Sequence, residues 1–147
     1  MFLGEFDHSL DAKGRVILPA EHREELGDGG FITKESDGCL AIYTTEEFQE
    51  VAMRMQESTR RGRRDRNVAR SFGAGSRSIA PDKQGRVAIP ANLRDFAGLE
   101  REVMVIGAIN RIEIWDRDRW AEANGEGEAG LRGPDDEIDE VPGGSGS

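Results

Sequence analysis

A ten-residue string occurs twice, and that repetition constrains the fold more than any other feature. Asp11-Ala12-Lys13-Gly14-Arg15-Val16-Ile17-Leu18-Pro19-Ala20 returns as Asp82-Lys83-Gln84-Gly85-Arg86-Val87-Ala88-Ile89-Pro90-Ala91, 71 residues later. An internal repeat of one small unit dictates architecture before any single element is assigned. In each copy a short apolar run ends in proline, which reads as a buried strand stopping where the backbone N–H disappears. Gly14 and Gly85 stand one residue before the strand, where a tight turn calls for positive φ. Asp11 and Asp82 are placed to accept hydrogen bonds from turn amides. Arg15 and Arg86 follow, each with a rigid fork of five donors. The string therefore predicts a basic loop between two strands, made twice.

The surrounding residues repeat the same plan. Residues 2–10 alternate loosely as a first strand, and Ala20 to Leu26 reads as a short helix ended by Gly27. Phe31–Lys34 and Leu40–Tyr43 read as strands around a turn-rich junction, followed by a helix that Thr44 and Glu47 are spaced to cap. Phe48, Val51, Ala52 and Met55 form its apolar stripe. In the second half, Asn92–Ala97 with Gly98 matches the short helix, and Val103–Ile106 matches the third strand. Ile112–Trp115 matches Leu40–Tyr43 at an offset of 72, which a one-residue insertion in the intervening hairpin would explain, and Trp120 takes the place of Phe48. Pro81, directly before Asp82, restricts the residues leading into the second loop and weakens that strand's pairing.

Four segments follow: a first motif with its helix (1–58), a basic linker or helical extension (59–75), a second motif (76–121), and a Gly-rich acidic tail (122–147). The tail has too little apolar content to fold and reads as disordered. It carries eight acids against Arg132, so the net charge of −9 is concentrated there. From Arg54 to Arg77 eight arginines face only Glu57 and Asp65. Local potential, not the sum, selects a partner, so the acidic total does not exclude nucleic acid. No apolar run reaches membrane-spanning length, and the Met-Phe-Leu-Gly-Glu opening lacks the regions of a signal peptide. A single cysteine, Cys39, allows no internal disulfide and suits a reducing cytoplasm.

On the opening Met1-Phe-Leu-Gly-Glu-Phe-Asp-His-Ser-Leu-Asp-Ala-Lys-Gly-Arg-Val, on Asp82-Lys-Gln-Gly-Arg-Val, on Arg94–Leu99 and on Arg111–Trp115, the chain resembles the MraZ family. The likeness runs from Met1 to about Trp120. That family belongs to the AbrB-like (SpoVT-AbrB) superfamily, so the resemblance implies an α+β, mainly β fold. Two tandem swapped-hairpin motifs would form one pseudo-symmetric small β-barrel with flanking helices. It further implies a regulator of transcription acting on the bacterial division and cell-wall gene cluster. Such a protein binds short direct repeats in promoter DNA, assembles as a homo-oligomeric ring and associates with the nucleoid. It implies neither cofactor, membrane nor small-molecule substrate. The residues that carry over are Asp11, Gly14 and Arg15, with Asp82, Gly85 and Arg86.

Chemically, Arg15 and Arg86 suit direct contact with bases, with Lys13 and Lys83 on phosphate. The plainer reading is that each arginine pairs with the aspartate four residues earlier and closes its loop, and the two readings are compatible. An enzyme reading would make Asp11 and Asp82 a shared-proton pair, but a neighbouring arginine would keep both ionised. No nucleophile, triad or phosphate loop is present in the sequence. His8, His22 and Cys39 lack metal-ligand spacing. The arginines between Arg60 and Arg70 suggest a second DNA-binding surface, but read first as a solvated helix face or a subunit contact to acidic neighbours. An antitoxin would carry one motif and an apolar-anchored tail, whereas here both motifs share one chain.

Overall fold

The short apolar runs beside each loop do become strands, but their partners lie in the opposite half of the chain. The structure, a computed structural model, describes residues 1–133. In order it contains β1 (Glu5–Ser9), β2 (Arg15–Ile17), α1 (Ala20–Leu26), β3 (Gly30–Lys34), β4 (Leu40–Thr44) and α2 (Thr45–Ser58). A 3-10 turn (Thr59–Arg61) leads to α3 (Arg63–Gly75), then β5 (Arg77–Ile79), β6 (Arg86–Ala88), α4 (Ala91–Ala97), β7 (Glu102–Gly107), β8 (Ile112–Asp116) and α5 (Arg117–Arg132). Met1–Asp116 makes one unit and a second begins at Arg117. The fold is α+β.

Six strands form one antiparallel sheet in the order β1-β7-β8-β4-β3-β5, and β2 pairs with β6 in a separate ribbon. Exchanging the two halves maps this order onto itself, reversed. The first strand of each half is lent to the other: β1 lies on β7 and β5 on β3. The exchange axis passes between Val16 and Val87 in the ribbon, and between Ala41 and Glu113 in the sheet. Among the described residues no closed barrel is found, because β1 and β5 are sheet edges and the ribbon stands apart. Each ribbon strand is three residues long and soon meets Pro19 or Pro90, which offer no N–H to extend a ladder.

Several local expectations hold. Thr44 Oγ1 accepts from Glu47 N at 3.2 Å at the start of α2, and Gly98 closes α4 in the left-handed region. Phe48 in the apolar stripe stacks on Phe31 and Phe72. β5 is two residues shorter than β1 and stops at Ile79, before Pro81.

Two expectations are corrected. The hairpin between β7 and β8 (108–111) is one residue shorter than that between β3 and β4 (35–39), not longer. Extra residues between α4 and β7 produce the offset of 72 instead. The start of the tail is not disordered, since α5 continues to Arg132. Ala121, Ala123, Ala129 and three glutamates favour a helix, and Gly125, Gly127 and Gly130 cost only about 1 kcal/mol each. Residues 134–147, the rest of that tail, lie outside the described residues.

The core lies where the ribbon meets the sheet: Val16, Leu18, Val87, Ile89, Leu93, Ile32, Ile42, Ile112 and Ile114 are all buried. One face of the central pair carries a polar exception. Glu113 is buried opposite the small Ala41, where it accepts from Arg111 Nε at 2.8 Å and from Trp115 Nε1 at 2.9 Å. Arg111 also faces Glu35, which accepts from the Tyr43 hydroxyl. A second buried polar group, His22 on α1, sits edge-on to Phe2 and Phe6, its Nε2 without a hydrogen-bond partner among the described residues.

Burial holds the His22 imidazole below its ordinary pKa of 6.5, although Glu21 pulls slightly the other way. The unfolded chain therefore binds a proton there more readily than the folded one does. His22 should lower stability progressively as pH falls below 6.5, with its full contribution kept at higher pH. Thermal melts at pH 7.5 and 5.5 should show a larger loss for the native chain than for His22→Leu. Equal losses in the two would contradict this.

Candidate nucleic-acid interface

Each repeated loop is built around its aspartate. Asp11 N donates to Arg15 O at 2.9 Å, and Gly14 N donates back to Asp11 O at 2.9 Å. Asp11 Oδ1 accepts from the backbone N–H groups of Lys13 and Arg15, and Oδ2 accepts from Arg15 Nε at 2.7 Å. The second loop reproduces this: Asp82 Oδ1 takes the amides of Gln84 and Arg86, and Oδ2 takes Arg86 Nε at 2.9 Å. Gly14 and Gly85 turn the chain at φ values of 75° and 82°. The N–H donated by the arginine backbone, then its side chain, hold both carboxyl groups below the usual carboxylate range. The pairing of each Asp with its Arg is thus real, and it closes the loop.

The two loops belong to one object. β2 and β6 pair antiparallel with Arg15 opposite Ala88 and Ile17 opposite Arg86. Val16 and Val87 face the core, so Arg15, Ile17, Arg86 and Ala88 make the outer face. The loops lie at opposite ends of the ribbon, and the arginines are offset by two residues, about 7 Å along it. Lys13 and Lys83 are exposed on the loops. All the residues singled out in the sequence, Asp11, Lys13, Gly14, Arg15, Asp82, Lys83, Gly85 and Arg86, therefore gather on the ribbon and its ends.

Each loop is also locked by the other half. Ile89 N donates to Gly14 O at 3.0 Å, and Leu18 N donates to Gly85 O at 2.9 Å. Arg94 of α4 donates to Ile89 O and lays its guanidinium against Gly14, where a Cβ would collide with it. Arg23 of α1 donates to Leu18 O at 2.6 Å and occupies the same position over Gly85. Sequence reasoning missed these two arginines, although they too are 71 residues apart and three positions beyond the repeated Pro-Ala.

Other candidate groups lie elsewhere. Cys39 is fully buried, and burial pushes its thiol far above the ordinary range. His8 lies on β1 and His22 in the core. Among the described residues no group of three or more His, Cys, Asp or Glu side chains is placed to hold a metal ion, and no helix is long and apolar enough to cross a membrane.

A duplicated α+β chain with exchanged first strands and a shared two-stranded ribbon defines a tandem, intertwined two-motif protein. The family model described as "MraZ protein, putative antitoxin-like" matches residues 1–71 and again 72–139. The chain is 46% identical over 143 residues to the transcriptional regulator MraZ of Paenarthrobacter aurescens, covering 97% of this chain and 99% of that protein. It is 43% identical to the protein of that name from Acetivibrio thermocellus, over 86% of this chain and 88% of that one. For the Cutibacterium acnes protein, again a transcriptional regulator MraZ, the identity is 48% over 82% and 84%. The chain belongs to the MraZ family.

The cross-clamp makes a specific prediction. Gly14→Ala should cost at least about 1–2 kcal/mol for positive φ alone, with the clash against Arg94 added. In a double-mutant cycle read by urea denaturation, Arg94→Ala should relieve part of that loss, whereas Arg23→Ala should simply add to it. Coupling to Arg23 in place of Arg94 would contradict the exchange of halves.

Proposed function

We propose that the chain is a sequence-specific DNA-binding regulator of transcription that works through the β2–β6 ribbon. Its target is the promoter region of the bacterial division and cell-wall gene cluster, in the cytoplasm and on the nucleoid. One observation carries the reading: two arginines, each braced by its own aspartate, share the outer face of one narrow ribbon. A two-stranded ribbon is of a size that the major groove, about 12 Å wide, admits. Bracing through Nε leaves the terminal nitrogens of Arg15 and Arg86 to face guanine O6 and N7. A pre-ordered arginine also loses less rotamer entropy on binding, out of the roughly 2 kcal/mol such a side chain carries. An offset of about 7 Å along the ribbon corresponds to roughly two steps of 3.4 Å along the duplex axis.

Lys13 and Lys83 meet phosphates beside the groove and add affinity without sequence information. They also offset the negative charge of Asp11 and Asp82. Because those carboxylates are held ionised, they are poorly suited to proton transfer at neutral pH, and the reading needs no catalysis, cofactor or small-molecule substrate. In this reading the ribbon and the sheet are two walls of the family's small barrel. Two arginines make a weak grip, so a ring of identical chains on short direct promoter repeats supplies the remaining affinity through effective concentration.

Arg15→Ala with Arg86→Ala should weaken binding to the chain's own upstream region by at least about thirtyfold, since each guanine contact is worth about 1–3 kcal/mol. The oligomer should remain intact on gel filtration. Footprinting should show evenly spaced protected repeats, lost in the double variant. Unchanged gel-shift affinity would refute the reading.

A further inference from the structure

Six arginines fall between Arg60 and Arg70, on the 3-10 turn and α3 that join the halves. On α3 the stripe turned toward the protein is Asp65, Ala69 and Phe72, all partly buried, with Phe72 stacked on Phe48. Arg63, Arg66 and Arg70 step by three and four residues along the opposite, exposed face. Among the described residues, acids do not neutralise this row. Glu57 is taken by Arg60 at 2.9 Å, and Asp65 lies on the packed stripe. Arg70 donates to the neutral Asn67 amide, and Arg63 and Arg66 form no ion pair among the described residues. The cluster also crowds the positive end of a helix whose Gly62 cap supplies no side-chain acceptor. Helix electrostatics disfavour that placement, and a local rule broken without internal compensation is a mark of a functional surface.

We propose that the outer face of α3 is a second DNA surface, one that grips the phosphate backbone without reading sequence. The inference rests on the reading of the ribbon as the base-reading element. From Arg63 to Arg70 the helix rises about 10 Å, enough to follow roughly three phosphates spaced 3.4 Å along the axis. Guanidinium forks suit phosphate oxygens. This face also carries Asn67 between the arginines and Ala74 beyond Arg70, with no large apolar side chain of the kind that anchors a protein partner.

The test compares three full-length proteins on a promoter duplex and a scrambled duplex of equal length, at about 50 and 200 mM salt. They are the native chain, the ribbon variant Arg15→Ala/Arg86→Ala, and the face variant Arg63→Gln/Arg66→Gln/Arg70→Gln. The face variant should lose affinity by the same factor on both duplexes, and its log–log salt slope should shrink by about 0.9 per contact, up to roughly 2.7. Its preference for the promoter should be unchanged. Lysine at the same three positions should restore most of the affinity. Native affinity and slope in the face variant, with the promoter preference intact, would overturn this proposal and leave the ribbon reading standing. A native chain with no promoter preference, but a reduced slope in the face variant, would overturn the ribbon reading and support the second surface. A changed oligomer size that lysine does not repair would make the face a subunit contact and overturn the proposal.

Discussion

The structure depends on two carbonyl oxygens. Gly14 O receives the amide of Ile89 and Gly85 O receives the amide of Leu18, so each loop is finished by backbone from the other half. The same exchange recurs at larger scale, with β1 on β7 and β5 on β3. Neither half contains the partners of its own first strand, so neither can satisfy its backbone alone. Placing both motifs in one chain turns what would otherwise be a dimer interface into the core of a single unit. The ribbon then has one register and one outer face regardless of protein concentration.

Under the proposed function, that outer face lets one arginine be both structural and recognising. A free arginine at a loop tip would have to be ordered upon binding. A fully neutralised one would have nothing left to offer. Here the carboxylate of Asp11 spends one oxygen on two backbone amides and the other on Nε of Arg15. Loop closure and side-chain orientation therefore come from the same group, and the side chain remains partly exposed. The clamp from Arg94 holds Gly14 from behind, and Arg23 does the same for Gly85. Rigidity at the tip is built from charges that lie within hydrogen-bond reach of one another, which makes it insensitive to the long-range potential of an acidic chain.

Much of this could be read from the sequence wherever the determinant was local. The tip geometry followed from Asp, Gly and Arg at fixed spacing, the α2 cap from Thr44, and the helix stops from Gly27 and Gly98. Strand partners could not be read, because a period-two pattern assigns faces and says nothing about which distant strand completes the ladder. The roles of Arg23 and Arg94 were hidden for the same reason: each acts on the other half's glycine, and no spacing within its own helix signals that. Glu113 offered no cue to its burial, which depends on Ala41 leaving room across the axis and on Arg111 and Trp115 satisfying its oxygens. α5 runs against the sequence expectation because low apolar content argues against packing but not against a helix, which the alanines and glutamates between three glycines favour.

The two halves match closely where they meet and diverge where they do not. Strands on the exchange axis pair with their own counterparts, β2 with β6 and β4 with β8, so a one-residue shift in either would turn core side chains outward. Off the axis, the connections can change length without shifting the register of the strands they join. The hairpins differ by a residue, β5 is cut short before Pro81, and the first half continues through α2 into the arginine-bearing α3. Symmetry thus survives where register enforces it, and that is also where the two Asp–Arg loops stand. Differences between the halves collect on surfaces free to vary, which is where an asymmetric function such as one-sided contact with a polyanion can be added without disturbing the ribbon.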